Sequence, residues 1–149
     1  MMITRREFLM YCGTLAGAMG LSASRLLKLQ NVLAAEGGPP VVWLQGQGCT
    51  GCSVSLLNSI YYMTADELLL TTLDLEFHAT VMAGAGDLAV RAAEDAYANE
   101  GYVLVVEGAI PTAEDGQYCY LWPGMTALNA VETFSENAAY ILAVGTCAA

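Results

Sequence analysis

Past residue 40, short apolar runs alternate with stretches of helical character, and no other feature limits the fold of this chain as much. Val41-Val42-Trp43-Leu44 is a β-prone run, and residues 53–62 read as a helix that Ser53 or Ser55 can cap. A second helical stretch covers 65–72, its start marked by Thr64, Asp66 and Glu67. Residues 75–82 alternate apolar and polar side chains, the pattern of a half-buried strand near a sheet edge. Asp87 stands where it can cap a helix over 88–98, with Leu88, Ala92 and Ala96 as its apolar stripe, ended by Asn99-Glu100-Gly101. Tyr102-Val103-Leu104-Val105-Val106 is unbroken and apolar, the mark of a central strand buried on both faces. A polar loop follows, then a helix over 126–139 and a fourth strand over 141–144. Strands alternating with helices predict an α/β fold, a parallel sheet with helices on both faces. Ligands of such sheets sit beyond the carboxyl ends of the strands. Three segments fall there: the Cys49/Cys52 loop, Glu107 to Pro111, and Cys147.

The first 34 residues stand apart. They hold four of the chain's five bases and one acid, Glu7. Residues 35–149 carry one base, Arg91, against 14 acids, a formal charge of −13. Thr4-Arg5-Arg6-Glu7-Phe8-Leu9-Met10 matches the twin-arginine export pattern, and small residues suited to cleavage surround Ala34. Residues 1–34 are therefore read as a twin-arginine signal and excluded from fold reasoning, together with Cys12. Residues 35–40, with Gly37-Gly38-Pro39-Pro40, are read as a linker and residues 41–149 as the folded domain. The acidic body does not suit nucleic acid, whose phosphates call for Lys and Arg. It suits a basic redox partner, or serves solubility alone. Apolar runs outside the leader are too short to span a bilayer.

Cys49-x-x-Cys52 lets two thiolates of one loop bind one centre, and Cys147 supplies a third from a neighbouring strand end. A helix start at Ser53 places partial positive charge beside the thiolates. By spacing alone the set suits an iron–sulfur cluster, a structural zinc, a redox dithiol or a disulfide. The residue before Cys49 is Gly48, where redox dithiols usually have an aromatic.

The string from Val41 to Ser59, VVWLQGQGCTGCSVSLLNS, resembles the proximal-cluster loop of nickel–iron hydrogenase small subunits. LEFHATVMAGAG from Leu75, VVEGAIPTAEDGQYC from Val105 and VGTCAA from Val144 resemble the same family in the same order. The resemblance implies a flavodoxin-like domain holding the proximal 4Fe-4S cluster through Cys49, Cys52 and Cys147. It also implies a fourth ligand and further iron–sulfur clusters beyond Ala149, which makes this chain an N-terminal fragment. Thr50, Gly51, Glu107, Gly108 and Thr146 fall around the implied site. Cys119 falls on a non-ligand position and is expected to be a small buried residue. His78 is expected to be a hydrogen-bonded structural residue.

By the same resemblance, the subunit passes electrons from hydrogen oxidation at a nickel–iron site on a separate large subunit to an acceptor such as a multihaem cytochrome. It works in the periplasm, with membrane association left open, and carries no catalytic residue of its own. Gly48, where many nickel–iron members have Glu, leans toward the nickel–iron–selenium branch. Gly51 replaces the extra Cys of oxygen-tolerant members, and Ala79 a common Pro. Two other functions compete, a periplasmic disulfide-containing binding module and a flavodoxin-like FMN carrier.

Overall fold

The computed structural model describes residues 38–149; the leader, Cys12 and residues 35–37 lie outside the described residues. In chain order the elements are β1 (Pro40–Gln45), α1 (Gly51–Leu57), α2 (Ala65–Thr71), β2 (Asp74–His78), α3 (Asp87–Asn99) and β3 (Val103–Glu107). A 3-10 turn (Ala113–Gly116), β4 (Tyr120–Trp122), β5 (Met125–Thr126), α4 (Ala127–Asn137) and β6 (Tyr140–Val144) follow. Four strands form one parallel sheet in the order β2-β1-β3-β6. This is the doubly wound, flavodoxin-like order, with the chain reversing direction across the sheet after β2.

Side-chain alternation sorts the core into two layers. Val42, Leu44, Leu104 and Val106 face α3 and α4 and meet Ala93, Ala96, Ala130 and Phe134. Val41, Trp43 and Val105 face the opposite way, where Leu56 of α1 and Leu73 after α2 cover them. Helices therefore lie on both faces, as the alternation predicts.

Several boundaries depart from the sequence reading. Helix α1 begins at Gly51 and stops at Leu57, without a side-chain cap from either serine. Only Leu56 of its last turn packs on the core, and Asn58 Nδ2 donates to the Val54 carbonyl, 2.9 Å, closing the helix end. Strand β2 stops at His78 because the next residues turn back: Met82 N–H donates to the His78 carbonyl and Thr80 N–H to the His78 ring. Asp87 is the first residue of α3 rather than its cap, which is Gly86. That shift rotates the buried stripe to Ala89, Ala93, Ala96 and Tyr97 and leaves Leu88 exposed. The loop before α4 contains the antiparallel β4–β5 pair, whose Trp122 packs edge-on against Phe77 and Phe134.

Tyr102 ties the end of α4 to the sheet. Its ring is fully buried, and its hydroxyl donates to the Phe134 carbonyl. That carbonyl is among the last four of the helix, which have no partner within it. Gly101 N–H takes the Asn137 carbonyl at 2.8 Å. Tyr102→Phe leaves the Phe134 carbonyl buried and unpaired. It is expected to cost about 1–3 kcal/mol in urea denaturation, with the fold otherwise kept.

Candidate functional site

Parallel register aligns the strand ends. Gln45 of β1, Glu107 of β3 and Val144 of β6 share one rung, and Trp43 and His78 pair one residue pair deeper. Beyond this rung the β1 and β3 loops zip together. Gly46 N–H donates to the Glu107 carbonyl, and Gln47 and Ala109 exchange both backbone bonds, at 2.9 and 2.8 Å. Gly108 makes this approach possible: at φ 85°, a Cβ there would stand 2.9 Å from the Gln47 carbonyl.

Glu107 is 3% exposed, yet both carboxylate oxygens are occupied. Oε2 accepts from Trp43 Nε1 (2.9 Å), Gln45 Nε2 (3.0 Å) and the Ser53 hydroxyl. Oε1 accepts the backbone N–H groups of Cys52 (3.1 Å) and Ser53 (3.2 Å), in the first turn of α1. Burial raises the Glu107 pKa, but the bonds from Ser53, Gln45 and Trp43 outweigh it and hold the group below the ordinary carboxylate range. These first-turn N–H groups point at Glu107, so they are not aimed at the thiolates as the sequence reading expects.

Of the three predicted cysteines, Cys52 lies against the end of β6, Cys147 sits in the turn that follows that strand, and Cys49 directly precedes the cap of α1. Cys52 Sγ lies 3.7 Å from the Val144 carbonyl, and the thiol donates to it. Gly145 leaves the space this requires: at φ 75°, its Cβ would stand 2.4 Å from Cys52 Sγ. Burial pushes the Cys52 thiol up, and the charges of Glu107, Cys49 and Cys147 push the same way. Cys49 and Cys147 are exposed at this rim, and all three thiols are free. Among the described residues no three His, Cys, Asp or Glu side chains are close enough to share a single metal ion. Three free thiols are the donor type that thiolate-bound metal centres use.

Thr50 is the N-cap of α1, with left-handed backbone at φ 62°, and Gly51 opens the helix beside Cys49 Sγ. Gly108 is buried in the zipped loops, while Thr146 is exposed in the turn that carries Cys147. Cys119 is half-buried rather than buried; its backbone accepts from Ala127 N–H and so holds the start of α4. His78 is fully buried and hydrogen-bonded, as expected. The sequence alone does not single out Trp43, Gln45 or Thr80, and it assigns Ser53 to a cap. A polar Gln closing an otherwise apolar strand is the one sign of this network.

Residues 49–149, which contain all three cysteines, match the family model of the NADH ubiquinone oxidoreductase, 20 Kd subunit. The chain belongs to this family. Within it, the chain is similar to the periplasmic NiFeSe hydrogenase small subunit of Desulfomicrobium baculatum, at 39% identity over all of this chain and 51% of that protein. It is also 39% identical to the periplasmic NiFe hydrogenase small subunit 1 of Nitratidesulfovibrio vulgaris, over 98% of this chain and 46% of that one. Among solved structures, the recombinant NiFeSe hydrogenase of Desulfovibrio vulgaris Hildenborough superposes with a TM-score of 0.71 at 44% identity, covering 77% of this chain and 42% of that chain. The family resemblance carried by the motifs is thus borne out. The chain spans about half the length of the curated relatives it matches.

In this family member, removing the carboxylate leaves three side-chain donors and two backbone N–H groups facing an empty position. Glu107→Ala is expected to destabilise the fold by about 3–5 kcal/mol, and Glu107→Gln by less. Chemical denaturation of the purified protein measures both.

Proposed function

We propose that this chain is part of the electron-transferring small subunit of a periplasmic uptake hydrogenase, with Cys49, Cys52 and Cys147 as ligands of its proximal 4Fe-4S cluster. The contact of Cys52 Sγ with the Val144 carbonyl, at the strand end that leads into Cys147, is the observation that supports the reading, because the sequence separates Cys52 from Cys147 by 95 residues. When bound, such a cluster supplies one-electron transfer. Cys49 and Cys52 would hold it from the α1 side and Cys147 from the β6 side, a set one short of the four cysteines such a cluster takes. Glu107 orients the Cys52 turn and takes no part as nucleophile or base. The β1–β3 loop zipper fixes the backbone at Gln47, two residues before Cys49. Hydrogen activation belongs to a separate large subunit carrying the nickel–iron or nickel–iron–selenium site; the D. baculatum relative is of the NiFeSe form and the Nitratidesulfovibrio vulgaris relative of the NiFe form. The acidic body draws a basic acceptor such as a multihaem cytochrome. Arg5 and Arg6 direct export of the folded, loaded subunit by the twin-arginine pathway.

The test is anaerobic purification of the full-length subunit with its large subunit. The expected result is broad brown absorption with iron and acid-labile sulfide. Cys147→Ala is expected to lose about four of each. A colourless, metal-free protein would instead support the disulfide-containing binding module, and a yellow flavin spectrum the FMN carrier. Gly145→Ala is expected to turn the Cys52 thiol from its place and lower iron retention several-fold. Gly101→Ala, at a similar φ of 76° but with nothing within 4 Å of the new methyl, is expected to retain it. Iron and sulfide assays on the two purified variants compare them.

A further inference from the structure

We propose that His78 is a positioning residue for Cys52, acting through the Ser53 hydroxyl and the Glu107 carboxylate; the proposal rests on the reading of Cys52 as a cluster ligand. His78 ends β2, is fully buried, and stacks at a tilt on Trp43 with ring centroids 5.0 Å apart. It touches no cysteine. Its effect on Cys52 follows from the number of hydrogens available along a closed set of bonds.

Thr80 N–H donates to His78 Nδ1 at 3.2 Å. A backbone N–H can only donate, so Nδ1 is an acceptor and the ring proton sits on Nε2. Thr80 Oγ1 stands 3.3 Å from His78 Nδ1, already the acceptor of the backbone N–H, and its one hydrogen goes to the nearer Gln45 Oε1 at 2.8 Å. That fixes the Gln45 amide with its nitrogen toward Ser53 and Glu107. Ser53 Oγ then receives two donors, His78 Nε2 at 3.1 Å and Gln45 Nε2 at 3.0 Å. With both lone pairs taken, its own hydrogen has one direction left, toward Glu107 Oε2. The other oxygen of the same carboxylate carries the Cys52 and Ser53 N–H groups. Imidazole orientation is thus transmitted, bond by bond, to the turn that aims Cys52 Sγ at the end of β6. A network in which each member has only one consistent orientation is rigid, and groups beyond the direct ligands of a metal set how those ligands are presented.

The experiment uses the full-length subunit in complex with its large subunit, loaded anaerobically. It reads the electron paramagnetic resonance signal of the reduced cluster and the rate of iron loss to a chelator. His78→Phe keeps ring volume but supplies no donor to Ser53; the expected result is altered g-values and iron loss faster by about tenfold. His78→Gln restores an N–H donor and is expected to return both readouts toward wild type. Ser53→Ala breaks the same chain at its middle and is expected to reproduce the His78→Phe change, and it decides the question should His78→Phe not fold. Tyr102→Phe, destabilising but outside the network, is expected to leave the signal unchanged. A wild-type signal and iron-loss rate in Ser53→Ala, or in a folded His78→Phe, would overturn the proposal. A Cys52→Ala complex that retains as much iron as the wild type would overturn instead the ligand reading on which it rests.

Discussion

A carboxylate inside a parallel sheet is expensive, and Glu107 remains there because five donors surround it. Isolated burial of such a charge costs many kcal/mol, whereas hydrogen bonds to a charged acceptor contribute about 1.5–3 kcal/mol each. The donors come from β1 and from the first turn of α1, whose Ser53 hydroxyl is bonded in turn to His78 at the end of β2. One side chain of the central strand therefore fastens three separate segments at the carboxyl edge of the sheet. Cys52 belongs to one of them, so its position is set by the sheet rather than by its own loop.

This arrangement changes the electrostatics of the rim. A helix start ordinarily favours thiolates through its free N–H groups. Here those groups are committed to Glu107, whose negative charge adds to the mutual repulsion of Cys52 with Cys49 and Cys147. The Cys52 thiol thus resists ionising in the absence of a cation, while the same negative potential favours a cationic centre once one is present. The fold does not soften Cys52 in advance; it holds the thiol in place and leaves its charge to be balanced by what it binds.

Much of this was legible in the chain. The unbroken run at 102–106 reads as a central strand because two packed faces require it, and β3 has both. The alternation over 75–82 reads as an edge strand, and β2 lies at the edge, although it stops at His78. The three cysteines and Glu107 follow from one rule, that strand carboxyl ends share a rim. Boundaries were not legible. Whether α1 continues past Leu57 depends on whether the next turn finds a surface to pack on, and Ile60, Tyr61 and Tyr62 find none within the domain. The length of β2 depends on a ring nitrogen of His78 capturing a backbone N–H. The small β4–β5 pair exists because Trp122 fills the gap between Phe77 and Phe134, a contact between residues far apart in sequence.

Thr50 shows why local signals fail closest to the site. A β-branched residue at φ 62° costs about 1–2 kcal/mol relative to its preferred backbone. No propensity argument would start a helix there; a serine cap two or three residues later is the better local choice. The structure accepts the strain because starting at Gly51 delivers two N–H groups to Glu107 and leaves the Ser53 hydroxyl free for the same carboxylate. Charge-assisted bonds of that number exceed the cost of one strained residue. The helix therefore begins where the carboxylate needs it, and Cys52 comes to face β6 as a consequence.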